Sequence, residues 1–172
     1  TLSNLGLALY YQGKLDESEQ IARNTLELRK RILGEDHMRT AGSKGALALV
    51  LYNRGKLEEA EQLFREQIAT YQRSAGKEAA SLGTPMMNLG QILLERGKKD
   101  DALSTMSEAR RIMEKTLGPE HPKVGQVLGT MCMIQISRND YASAEPLARA
   151  ALWILGLTLF VTLALTDRTI SD

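Results

Sequence analysis

Very little in this sequence can react. There is one cysteine, Cys132, in 172 residues. That excludes an internal disulfide and a cysteine-only zinc site, and it fits a reducing compartment. An excess of one charge is also missing: 22 basic and 21 acidic side chains leave a net +1. A nucleic-acid binder draws affinity from phosphate neutralisation and carries a basic excess on one face, so nucleic acid is not an expected partner. Aromatic residues make up 5%, too few for a row of base-stacking platforms. No Gly-rich phosphate loop, zinc-ligand spacing or nucleophile elbow occurs, and no catalytic residue, metal or cofactor is expected. The front end lacks both a methionine and a charged segment followed by an apolar run. It reads as a segment of a longer protein, with no targeting signal in view.

What is present is a period. Gly13, Gly55 and Gly97 lie 42 residues apart, and Asn139 takes the next step. The same step links Gly34, Gly76 and Gly118, and also the apolar Leu5, Leu47, Leu89 and Met131. The string from Gly13 to Gln20 returns almost unchanged from Gly55 to Gln62. Self-similarity at such a period marks a repeat array.

Each unit divides into two helices. Leu47 and Leu51, then Leu89 and Leu93, recur at i, i+4, while Gly6, Ala48, Gly90 and Cys132 keep a neighbouring place small. A glycine turn follows and forces the second helix to run antiparallel. Leu57, Ala60, Phe64 and Ile68 point inward from that second helix. Glu58, Glu59, Glu61 and Arg65 are expected to face water, with acidic residues in the first turn. The elements predicted are 1–11, 15–33, 38–53, 57–74, 80–95, 99–117, 122–137 and 141–155. The domain expected is one array over 1–154, in repeats 1–37, 38–79, 80–121 and 122–154. His37 and His121 occupy the same phase of two linkers, two repeats apart, and are expected to start the next helix.

The Asn-Leu-Gly strings at Asn4 and Asn88, Gly-Lys-Leu at Gly13 and Gly55, Glu59-Ala60-Glu61 and the linker Leu117 to Pro122 resemble the tetratricopeptide repeats of kinesin light chains. The resemblance covers about residues 1–154. It implies an all-α fold, a right-handed superhelical solenoid of antiparallel helix pairs whose first helices line a concave groove for peptides. It also implies that Asn4 and Asn88 stand where light chains hold a peptide backbone; Ala46 and Thr130 depart from that pattern. Carried along the first helices, the pattern places Leu7, Tyr10, Tyr11, Leu49, Tyr52, Asn53, Gln91, Leu94 and Met133 in the groove beside the two asparagines. Such a surface suits an extended or helical apolar peptide.

The expected function is therefore a non-catalytic, cytoplasmic protein- or peptide-binding scaffold, part of an adaptor or of a nucleotide-switch sensor. The alternative is a structural spacer that self-associates through its C-terminal tail, residues 155–172. From Ala150 to Leu165 only apolar residues, Gly and Thr occur. At 16 residues the run falls short of the ~20 that span a bilayer, so a membrane partner is not expected. It reads either as a helix awaiting a neighbour or second copy, or as non-native sequence. The loss of period near Ile154 favours the latter.

Overall fold

The computed structural model describes residues 2–168, with side chains for all of these except Ser3 and 157–168. Among the described residues there is no strand. Eight helices follow one another as α1 (Leu2–Tyr11), α2 (Leu15–Leu33), α3 (Met38–Asn53), α4 (Leu57–Ala75), α5 (Gly83–Glu95), α6 (Lys99–Leu117), α7 (Pro122–Ser137) and α8 (Tyr141–Arg168). They pair as α1/α2, α3/α4, α5/α6 and α7/α8, and each pair packs on the next.

The hairpin corners are set by left-handed backbone. Gly13, Gly55 and Gly97 have φ of 75°, 72° and 76°, and Asn139 takes the same place at 61°. Only residues that tolerate αL fit there, and Asn is the common substitute for Gly. Within a hairpin the two helices approach through the small places. A Cβ on Gly90 would lie 2.8 Å from Met106 Cγ, and one on Gly6 would lie 3.2 Å from Ile21 Cγ2. Ala48 holds the same place in α3 and is fully buried. One core then runs the length of the stack through Leu47, Leu51, Phe64, Leu93, Met106, Ile112, Val127 and Ile134.

The linkers show why two first helices start cleanly and one does not. The Nδ1 of His37 accepts the Arg39 amide at 3.0 Å, and that of His121 accepts the Lys123 amide at 3.1 Å. Both histidines are N-caps, as their position in the linkers suggested. The same step places Ala79 in the second linker, with the extended backbone of a cap (φ −64°, ψ 136°) but no side-chain acceptor. Here the chain makes a 3-10 turn over Ala80–Leu82, and α5 begins only at Gly83. Replacing Ala79 with Asn, which caps without adding charge beside Glu78, is expected to stabilise the chain by about 1 kcal/mol. A higher denaturant midpoint at unchanged slope would show it.

α8 runs past the expected stop at 155. Its early part packs as a second helix should: Ala151 and Ile154 are buried, and a Cβ on Gly125 of α7 would lie 3.1 Å from Ile154 Cγ2. Helical backbone continues to Arg168, and residues 169–172 of the tail lie outside the described residues. No helix among the described residues is long and apolar enough to cross a membrane.

Candidate functional site

Adjacent first helices stand side by side across the preceding second helix. At the junction of α1 and α3, with α2 as floor, they leave an open groove of about 520 Å³. Asn4, Leu7, Tyr10 and Tyr11 form one wall, while Gly42, Ala46 and Leu49 form the other. The floor is Ile21, Ala22, Thr25 and Arg29. Five of the residues expected in a groove thus meet in one cavity: Asn4, Leu7, Tyr10, Tyr11 and Leu49. Tyr52 and Asn53 continue the same side at the C-terminal ends of the first helices. Asn53 Nδ2 donates to the Tyr10 hydroxyl at 2.8 Å, and the Tyr52 hydroxyl donates to Glu95. Burial first, then this hydrogen bond and the Glu95 charge, push the Tyr52 phenol up to about 12. Asn88, Gln91 and Leu94 lie half-buried on α5, and Met133 is exposed on α7. None of those four lines the cavity at the first junction.

The floor at this junction differs from its counterparts in the next two repeats. One repeat further on, the place of Ala22 is taken by Phe64, and one further again by Met106, both buried. Ala22 leaves the volume of most of a phenyl ring unfilled. The place of Arg29 is taken by Tyr71 and Met113, which reach Gly42 and Gly83 of their own hairpins. Arg29 instead turns along the groove edge, donating from Nη1 to Ser43 Oγ at 2.7 Å and to the Arg39 carbonyl at 3.1 Å. The walls were legible from the first helices, whereas the floor was not. The signal was in the sequence all the same, as a small residue at a place that the next two repeats fill with Phe and Met and the fourth leaves as Ala148.

A second feature repeats along the array. Glu61 was expected to face water, yet it is 4% exposed. Its carboxylate receives Lys98 Nζ at 2.9 Å and Arg96, both from the next repeat's corner, and Arg65 from its own helix. One repeat earlier Glu19 takes Lys56 at 2.9 Å, together with Arg54 and Arg23. Burial opposes ionisation at both glutamates. The lysine and arginine hydrogen bonds outweigh it, and both carboxyls are held below their usual 4.5. At the third junction the step gives Leu103 in place of the glutamate, and the clamp is gone. The outer rung survives: Asp16, Glu58 and Asp100 bond Arg54, Arg96 and Arg138 in turn. These charges join repeats to one another. No group of three or more potential metal ligands occurs among the described residues.

A family model described as tetratricopeptide repeat matches residues 1–73, 40–115 and 81–155 in overlapping windows. The chain belongs to the tetratricopeptide repeat family. Its fold is all-α, a right-handed superhelical solenoid of antiparallel helix pairs. No curated protein matches it in sequence. Among solved structures it is similar to BtubC (BKLC) from P. vanneervenii, with a TM-score of 0.83 at 21% identity over 91% of this chain and 63% of that one. It is similar also to a Podosopora anserina protein designated a kinesin light chain with nearly identical TPR-like repeats, at TM-score 0.81, 19% identity, and 92% and 74% of the two chains. Apo RapI gives a TM-score of 0.81 at 18% identity over 91% of this chain and 55% of that chain. The tetratricopeptide array described here spans 63% of the length of BtubC. At such identities the likeness concerns the solenoid and carries no ligand with it.

Proposed function

We propose that this tetratricopeptide array is a non-catalytic, cytoplasmic scaffold that binds a peptide segment of a partner protein in the α1–α3 groove, within an adaptor or a nucleotide-switch sensor. The observation that carries this reading is the groove itself, an apolar trough with Ala22 in its floor where the next two repeats carry the buried Phe64 and Met106. Apolar walls with a few placed polar groups are the usual makeup of a ligand site. Tyr10, Tyr11, Leu7 and Leu49 supply contact area, and Asn4 and Arg29 supply hydrogen bonding along the edge. An extended or helical apolar segment fits these surfaces. Single peptides on such a site are expected to bind at about micromolar strength, roughly −8 kcal/mol.

Ala22→Phe separates binding from folding. The ring would enter a space the fold already fills at the next junction, so thermal stability is expected to hold or rise. A random peptide library displayed on phage and selected on the parent chain supplies the probe. Enriched peptides should lose at least about tenfold in affinity on Ala22→Phe, equivalent to 1.4 kcal/mol. Failure to enrich any peptide, or equal binding by the variant, would overturn the reading.

A further inference from the structure

The second helices keep one stripe toward solvent, and α8 departs from the others along it. On α2 the stripe is Gln20, Asn24, Glu27 and Arg31, all exposed. One step on, α4 carries Gln62, Glu66, Ala69 and Arg73, and α6 carries Ser104, Glu108, Arg111 and Lys115. Both α4 and α6 have a repeat on either side, yet every one of these eight residues is exposed or half-buried. The outer stripe of a second helix is therefore left open by its neighbours in the array, and in three repeats it is polar apart from Ala69.

The same step gives Pro146, Ala150, Trp153 and Leu157 on α8. Pro146 is exposed, and Trp153, in the place of Glu27 and Arg111, is 66% exposed. The buried residues of α8 are on another side of the helix, at Ala144, Ala151 and Ile154. Helical backbone continues to Arg168, and from Ala150 to Leu165 the sequence holds no charged or amide side chain. Wound as a helix, that run is apolar all round. A protein partner or a second copy covers one side of a helix, whereas acyl chains surround it. Sixteen helical residues measure about 24 Å, short of the ~30 Å hydrocarbon core. Such a run does not cross a bilayer, but it is long enough to lie within one leaflet. Arg149 and Arg168 stand just outside it, and Trp153 lies near its start, where an aromatic ring suits the headgroup level.

We propose that α8 docks this array on a lipid surface, with Trp153 among the headgroups and the run to Leu165 in the outer part of one leaflet. The contact draws on apolar area rather than on charge, so it persists in high salt. It is independent of what fills the groove.

Trp153 is the single tryptophan of the chain and reports on its own surroundings. Its emission in the full chain is expected to shift to the blue when phosphatidylcholine vesicles are added, and to become shielded from iodide. The chain should float with the vesicles in low and high salt alike. Leu157→Lys retains the tryptophan and should weaken partitioning at least about tenfold, because a charge in the hydrocarbon is costly. Leu157→Phe should partition as the parent does, and Ala22→Phe as well. Circular dichroism without vesicles should be unchanged in all three. Emission that ignores the vesicles, with the chain left behind on flotation, would overturn the proposal. Equal partitioning of Leu157→Lys would do the same, and so would a blue shift that grows with protein concentration in the absence of lipid, which would mean that a second copy covers Trp153.

Discussion

Replacing Phe64 with alanine is expected to cost about 3–5 kcal/mol, the usual penalty for emptying a buried aromatic site. The ring is 2% exposed and sits at the junction of α3, α4 and α5, where the core passes from one repeat to the next. A solenoid has no central core to absorb such a hole, because each repeat leans only on its neighbours. Loss at this junction should therefore broaden unfolding or divide it, with the α1–α4 half melting apart from the rest. Chemical denaturation followed by circular dichroism, with Ala22→Phe alongside, would measure both effects. The same side chain at equivalent places should stabilise or leave unchanged one junction and be indispensable at the other. Equal effects of removing one ring and adding the other would show that the first junction is not open as described.

Glu61→Gln is expected to cost about 3 kcal/mol, the low end for breaking a buried pair. The low end applies because Arg96 and Lys98 are partly exposed and regain water when the carboxylate is lost. The pH dependence gives a sharper readout. Burial alone would raise the Glu61 carboxyl, yet hydrogen bonds from Lys98 and Arg96, with the charges of Arg65 and Arg96, hold it below the usual 4.5. A folded value below the unfolded one contributes stability that is complete above the unfolded value and lost as pH falls through the folded one. Glu19 acts in the same direction. The parent should thus lose stability below about pH 4.5, where the unfolded chain takes up the proton first. Glu61→Gln should lose less over that interval, with the slope of stability against pH reduced by up to about 1.4 kcal/mol per unit for one proton. Parallel curves for parent and variant would show that the clamp does not hold the carboxylate ionised.

Most of the architecture could be read from the chain because its punctuation is local. Positive-φ corners demand Gly or Asn, and Gly34, Gly76 and Gly118 end the second helices at φ of 86° to 93°. Helix bounds such as 15–33 and 38–53 follow from that chemistry alone. The misses each involve a residue whose meaning depends on a neighbour in space. Ala79 breaks the histidine cap and delays α5. Glu61 looks like any first-turn carboxylate until the next repeat's corner folds over it. Ala22 is unremarkable on its own helix and becomes the floor of a groove only when compared with Phe64 and Met106. The groove walls were legible because the first helices carry them in phase, but the cavity needed α2. The overrun of α8 past 155 had a different cause: the period ended there while helix-forming residues continued.

The missing glutamate at Leu103 carries a mechanical consequence. When the array is pulled end to end, the first two seams resist through ion pairs that are short and directional. Between α6 and α7 the inner resistance comes from apolar side chains, with the Arg138–Asp100 pair and the hydrogen bond from Lys99 Nζ to the Ser137 carbonyl at the rim. The spring constant of this rod is therefore uneven along its length, and the last hairpin is where it would first yield under load.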